Sequence, residues 1–247
     1  VVDHQFADAG LAALYDRQYT WERRGDFGFY LPLVLAADAV LDVGCGTGTL
    51  LHRARDEGHT GRLCGLDPAA GMLAQARTRE DVEWIEGDLG STSWDGEFDL
   101  VVMSGHAFQV FVTDEELRSS LAAIRAALTE GGRFAFETRN PSARAWERWT
   151  DEYVREITGP TGATIRTWNQ VDTPVDGRTV SFTTTFVSSD RAEPETSRST
   201  LRFLDVEELA SFLTEAGLVV EEQFGDWDRS PVTEQSIEII TFARRAG

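Results

Sequence analysis

Leu41-Asp42-Val43-Gly44-Cys45-Gly46-Thr47-Gly48-Thr49-Leu50 is the stretch that decides how this chain is read. The apolar run Ala39–Val43 predicts a strand, Thr49–Glu57 predicts a helix, and three alternate glycines join them. A glycine-rich turn between a first parallel strand and its helix lets a ligand approach the backbone at the carboxyl edge of the sheet. Two familiar turns of this kind do not match. The dinucleotide spacing G-x-G-x-x-G would put Thr49 where its third glycine belongs, and a P-loop needs a Gly-Lys step absent from this stretch.

Outward from the turn, short apolar runs alternate with amphipathic stretches. Leu63–Leu66, Val82–Glu86, Phe98–Met103 and Arg133–Thr138 read as strands, with helices at Ala69–Arg77 and Asp114–Leu128 between them. In the last helix Leu117, Leu121, Ile124 and Leu128 fall on one face. Thr113 and Glu116 form a capping box at its start, and Gly131–Gly132 reads as its stop. Such strand–helix–strand units predict a doubly wound α/β fold. Residues 39–139 and 205–247 form its mostly parallel seven-stranded sheet. The last helix opens at Asp205, and Leu218–Phe224 and Ile237–Ala243 supply the final strands. Residues 1–38 precede it as a helical cap, with helices at Phe6–Tyr19 and Phe27–Ala37; Phe6, Leu14 and Tyr15 form the apolar side of the first. Residues 140–204 change period. Thr164–Val171, Thr179–Val187 and Ser199–Phe203 predict an antiparallel insertion after the fifth strand, with Val180, Phe182 and Phe186 on one face.

Charge is the unusual bulk property. Among 247 residues, 23 Lys and Arg face 42 Asp and Glu, a net charge of −19. Nucleic acids and anionic membranes are disfavoured, because their non-specific attraction comes from basic side chains. The acidity suits either a cationic substrate or simply a solvated surface. Cys45 and Cys64 form no disulfide framework or CxxC pair, so no metal is expected. No apolar run approaches the roughly 18 residues of a membrane span, and the first ten residues lack a signal-peptide layout; a cytoplasmic protein is expected.

The turn's spacing is Asp-x-Gly-x-Gly-x-Gly, and further elements follow it in order. They are Gly65-Leu66-Asp67, Glu86-Gly87-Asp88-Leu89, Phe98-Asp99-Leu100-Val101-Val102-Met103, and the Leu-x-x-Gly-Gly-Arg-Phe of residues 128–134. Together they resemble the class I S-adenosylmethionine-dependent methyltransferases. The resemblance implies S-adenosylmethionine as cofactor and S-adenosylhomocysteine as product. It places Asp67 on the ribose hydroxyls, Asp88 on the adenine amine and the Leu89 amide on an adenine ring nitrogen. Asp42 falls near the methionine end, either in contact or as a loop-orienting residue. Gly44, Cys45, Gly46, Gly48, Pro68 and Ser104 fall along the same site. Met72 either packs under adenine or belongs to the core. Tyr15 heads a Tyr-Asp-x-x-Tyr pattern in helices that fold over the cofactor.

Methyl transfer from a sulfonium needs alignment, exclusion of water and management of one proton. His106, after the fourth strand, is the candidate base, or else a backbone-capping residue. Tyr19, Tyr30, Arg139, Trp146 and Trp168 are candidate substrate residues, with Arg139 either a fork for an anionic group or a surface ion-pair partner. The arrangement is similar to that of small-molecule N-methyltransferases, so the expected partner is a small methyl acceptor with an N or O nucleophile. A protein or RNA acceptor and a non-catalytic cofactor binder are the alternatives; a homodimer stays open.

Overall fold

The computed structural model describes residues 2–246. Its main sheet has the order β10-β11-β5-β4-β1-β2-β3. The parallel strands are β1 (Ala39–Val43), β2 (Arg62–Asp67), β3 (Glu83–Glu86), β4 (Phe98–Met103) and β5 (Leu128–Arg139). Two later strands, β10 (Leu218–Phe224) and β11 (Glu238–Arg245), extend the edge, with β11 antiparallel to both β5 and β10.

Alternation along the strands feeds two cores, because successive side chains leave a strand on opposite faces. Leu41, Val101, Met103, Phe134 and Phe136 meet α7 (Asp114–Ala127) and α8 (Val206–Glu215) on one face. Val40, Leu100, Val102, Ala135 and Phe242 meet α4 (Gly25–Ala36) and α5 (Thr49–Asp56) on the other. Helix α6 (Ala70–Ala76) follows β2. The capping boxes at Thr113/Glu116 and Asp205/Glu208 both form, as the sequence pattern predicts.

The expected single helix over Phe6–Tyr19 is instead three short ones: α1 (His4–Ala7), α2 (Ala9–Ala12) and α3 (Tyr15–Gln18). Asp8 breaks it by turning extended and accepting the amides of Gly10 and Leu11, a cap that competes with helix continuation. The expected apolar side divides accordingly. Leu14 packs with Ile157, Ile165 and Phe186, whereas Phe6 and Tyr15 pack on Met72 and Ala69.

Gly131–Gly132 does not stop α7, which ends at Ala127 as Leu128 turns extended. Both glycines lie inside β5. The register jumps from Phe98↔Leu128 to Leu100↔Arg133, so the pair forms a bulge. There Gly131 takes φ of 76°, and a Cβ on Gly132 would stand 3.0 Å from the Phe98 carbonyl oxygen.

The insertion is a separate antiparallel sheet, β6-β7-β8-β9. Its strands are β6 (Arg155–Thr158), which sequence pattern did not show, β7 (Thr164–Val171), β8 (Thr179–Ser188) and β9 (Glu195–Arg202). In β8, Val180, Phe182 and Phe186 share the buried face with Thr184. Gln109 ties the insertion to the main sheet: its Nε2 donates to the Arg202 carbonyl at 2.8 Å, and its Oε1 accepts from Arg139 at 2.9 Å.

Leu11 and Leu14 are the buried apolar residues of the cap that pack on the insertion. Leu14→Ala should loosen that contact by roughly 2–5 kcal/mol. The expected readout is faster protease cleavage in the first 24 residues, with the denaturant midpoint of the main sheet nearly unmoved.

Candidate functional site

The turn after β1 is built by three left-handed glycines and closed by the second strand. Gly44, Gly46 and Gly48 have φ of 73°, 56° and 76°. The Gly44 and Cys45 amides donate to the Leu66 carbonyl at 2.8 and 3.2 Å, and the Gly46 amide donates to Asp67 Oδ2 at 2.8 Å. At Gly48 a Cβ would fall 2.4 Å from the Trp84 ring, so only glycine fits there. Asp67 Oδ1 accepts from the Ala69 amide at 2.8 Å, and burial pushes its carboxyl above the usual carboxylate range.

This turn opens on a cleft lined by Tyr15, Arg24, Phe27, Asp42, Cys45 and Ser104, among others. Asp42 is 1% exposed and its Oδ1 has no hydrogen-bond partner. Burial, reinforced by the charge of Asp67, pushes its carboxyl up to about 7. Arg24 faces it from the helical cap. The guanidinium donates to Asp26 from Nε at 2.8 Å and from Nη2 at 2.5 Å, and to the Tyr15 hydroxyl from Nη1 at 3.3 Å. Burial pushes the Tyr15 phenol up to about 12, so it stays protonated at neutral pH. Asp16 fastens the cap to the turn by accepting from the Thr47 hydroxyl at 2.7 Å.

Beyond Ser104 the chain enters a second polar cluster. His106 is left-handed, with φ of 63°. Its amide donates to Glu137 Oε1 at 2.8 Å, and its Nε2 lies 2.8 Å from Glu238 Oε2. Burial, with the Arg139 charge adding to it, holds the imidazole below its ordinary value. It is therefore neutral near pH 7, and a carboxylate at Nε2 fixes the proton there and leaves Nδ1 as the basic atom. Glu137 has no exposure, and burial, with Asp26 adding to it, pushes its carboxyl up to about 8.

The sequence-predicted residues distribute unevenly around these two clusters. Tyr15, Asp42, Gly44, Cys45, Gly46 and Ser104 line one cleft. Gly48 closes the turn, and Met72 packs beside it with Ala69 and Phe6, its Cε 3.2 Å from where a Cβ on Gly46 would stand. Pro68 is exposed just after Asp67. Asp88 follows β3 at the same sheet edge, exposed, with Oδ1 accepting the Gly90 and Ser91 amides; Leu89 beside it is buried. Tyr30 does not face a substrate space: it is fully buried and its hydroxyl donates to Glu137 Oε2 at 2.5 Å. Trp146 is likewise spent on packing, against Phe203 and Val180. Arg139 is not a surface ion-pair partner; it holds Gln109 and lies 5.3 Å over the Trp149 ring. Tyr19 packs against Tyr15 with ring centroids 4.9 Å apart and planes tilted by 45°, and Trp168 lines a separate pocket. Sequence reasoning missed Arg24, Asp26 and Glu238 at the site. Each reaches it from an element far away in the chain, with no local motif.

A parallel sheet carrying such a turn, with a carboxylate at the end of its second strand, defines a nucleoside-binding α/β protein. The family described as "Methyltransferase domain" matches residues 40–132. The chain is 30% identical over 166 residues to a 2-phytyl-1,4-naphtoquinone methyltransferase of Thermosynechococcus vestitus, covering 61% of this chain and 71% of that one. It is 34% identical over 106 residues to the cypemycin N-terminal methyltransferase of a Streptomyces species, and this match spans 42% of each chain. Two solved structures share the fold along nearly the whole chain. The CcbJ methyltransferase from Streptomyces caelestis gives a TM-score of 0.76 at 19% identity, covering 98% of both chains. CalS10, an amino pentose methyltransferase from Micromonospora echinaspora solved with S-adenosylmethionine bound, gives 0.69 at 24%, covering 94% of this chain and 97% of its own. The protein belongs to the class I S-adenosylmethionine-dependent methyltransferases, and S-adenosylmethionine is its cofactor.

The cleft fits that cofactor. It offers glycines that let a ligand reach the backbone, a buried carboxylate oxygen without a partner, and an arginine for a carboxylate. A cation beside Asp42 favours its ionised form, so binding below pH 7 must also expel a proton. S-adenosylmethionine affinity should thus be flat above about pH 7 and fall about tenfold per pH unit below it, and Asp42→Asn should flatten the profile. Titration calorimetry across pH checks this. In the folded chain the Asp42 carboxyl lies above its ordinary value of 3.8. Asp42's contribution to stability is then full below that value and lost as pH rises through about 7. Without cofactor, Asp42→Asn should therefore raise the melting temperature more at pH 8 than at pH 5.

Proposed function

We propose that this chain moves the methyl group of S-adenosylmethionine to a nitrogen or oxygen nucleophile of a small molecule, and that an amine suits it best. The observation that carries the reading is His106 Nε2 held 2.8 Å from Glu238, beside buried Glu137 and next to Ser104 of the glycine-turn cleft. The Glu238 carboxylate on that side attracts an ammonium, and the neutral imidazole takes its proton. Two similar proteins, the cypemycin N-terminal methyltransferase and the amino pentose methyltransferase CalS10, support the same direction.

When bound, the cofactor supplies an electrophilic methyl on a sulfonium, whose leaving group is neutral. The glycine turn and Asp67 would hold the nucleoside, Asp88 and Leu89 would flank its base, and Asp42 and Arg24 would take the amino and carboxyl groups of the methionine end. Charge-assisted hydrogen bonds of this kind are the strong ones, so Asp67→Ala should weaken cofactor binding by roughly 1–3 kcal/mol. His106 accepts the acceptor's proton at Nδ1, and Glu238 keeps the ring in the tautomer that leaves Nδ1 free. Glu137 pins the His106 backbone in its left-handed conformation.

His106→Ala should lower turnover by roughly 10²–10⁴ with cofactor affinity unchanged. The deficit should shrink as pH rises, because the acceptor then loses its proton unaided. In the parent protein at saturating S-adenosylmethionine, turnover should fall on acidification only below about pH 6.5, since burial holds the imidazole under its ordinary value. A panel of small amines and alcohols with a labelled methyl donor tests the function. Label in bulk RNA or in protein, or cofactor binding with no acceptor in any class, overturns the small-molecule reading.

A further inference from the structure

A second pocket opens between α3 of the cap and the insertion, apart from the glycine turn. Trp149 and Trp168 line it, with Tyr153 at 60% exposure beside them. Arg148 and Arg155 supply its charge, and neither pairs with a carboxylate among the described residues. No Asp or Glu lines it, in a chain whose net charge is −19. Two hydroxyl oxygens in its wall, Thr150 Oγ1 and Thr167 Oγ1, are buried and have no hydrogen-bond partner. A buried hydroxyl left unpaired is costly. Two of them in one wall, with two indoles and two arginines that have no carboxylate partner among the described residues, make a site built for a polar, flat ligand.

The pocket is joined to the transfer site on two sides. Arg155 Nη1 donates to the Tyr19 hydroxyl at 3.1 Å, and Tyr19 packs at a tilt against Tyr15 of the cofactor cleft. Trp149 lies under Arg139, whose charge is felt by His106.

We propose that this pocket binds the end of the methyl acceptor remote from its nucleophile, and that this end is a flat ring carrying a carboxylate or phosphate. The inference rests on reading the adjoining cleft as the methyl-transfer site. Arginine guanidiniums meet such anions as planar forks, the indoles stack on the ring, and the threonine hydroxyls donate to the anion's oxygens. The acceptor is then bipolar. Its nucleophile meets Glu238 and His106, its anionic ring meets the arginines, and binding at the far end places the nucleophile.

The test uses the full chain with phenyl phosphate, benzoate, benzyl alcohol and inorganic phosphate as probes, followed by tryptophan fluorescence and calorimetry. The two ring-bearing anions should bind saturably, and benzyl alcohol and inorganic phosphate at least about tenfold more weakly. A double variant, Arg148→Gln with Arg155→Gln, should lose at least about tenfold for the anions while keeping parental affinity for S-adenosylhomocysteine, which also reports its folding. Whether phosphate or carboxylate binds more tightly identifies the anion. Absence of saturable anion binding, equal affinity for benzyl alcohol, or undiminished affinity in the double variant overturns the pocket's role. Those results leave cofactor binding and methyl transfer intact, whereas a protein that binds the anions but methylates no small molecule overturns the transfer reading alone.

Discussion

Two acceptors at the end of the second strand, the Leu66 carbonyl and the Asp67 carboxylate, hold the turn on which the site depends. The turn must place successive amides inward while its backbone passes through three left-handed residues, a path open to glycine at little cost. The amides of Gly44, Cys45 and Gly46 each find a partner on β2, so the turn is fastened before any ligand arrives. Asp67 thereby has two tasks. Two backbone donors, the Gly46 and Ala69 amides, orient its carboxylate, and the same contacts fasten the turn to the start of the following helix.

The same constraint concentrates buried negative charge. Asp26, Asp42, Asp67 and Glu137 are each under 9% exposed. Burying carboxylates is unfavourable unless donors or cations compensate. Arg24 compensates Asp26 with a forked contact, and Tyr30 with the His106 amide compensates Glu137. Asp42 alone keeps an oxygen without a partner, which is why its carboxyl rises furthest toward neutrality among the residues of the turn. A ligand with a positive charge relieves that site, so the electrostatic cost stored there favours a cationic cofactor over a neutral nucleoside.

Much of the sheet was legible because its signals are local. The strand limits of β1 and β4 and the two capping boxes follow from residues within a few positions of each other. Long-range effects account for the errors. Gly131–Gly132 has the composition of a helix stop, yet the strand pairing with Phe98 draws it into a bulge. The helix over Phe6–Tyr19 breaks because its apolar residues serve two separate surfaces, Met72 and the insertion. At the site, the glycine turn, Asp42, Asp67 and Ser104 were readable from strand order. Arg24, Asp26 and Glu238 were not, since nothing in 21–28 or 235–240 marks a ligand edge. Tyr30 and Trp146 misled because an aromatic residue near a site has the same sequence appearance whether it faces the ligand or the core.

Charge distribution joins these pieces into one account of selectivity. A chain with 42 acidic residues repels anions over most of its surface. An anionic acceptor can therefore be held only where the acids are missing, and the pocket of Arg148 and Arg155 is such a place. The cap and the insertion build that pocket together, through α3 and β7, and the same α3 carries Tyr15 to the cofactor cleft and Asp16 to the glycine turn. One short helix thus touches turn, cleft and pocket. Its position is set by Leu11 and Leu14 against the insertion and by Asp16 against Thr47 and Thr49, so a shift of the insertion is transmitted to the turn through apolar packing on one side and hydroxyl–carboxylate hydrogen bonds on the other.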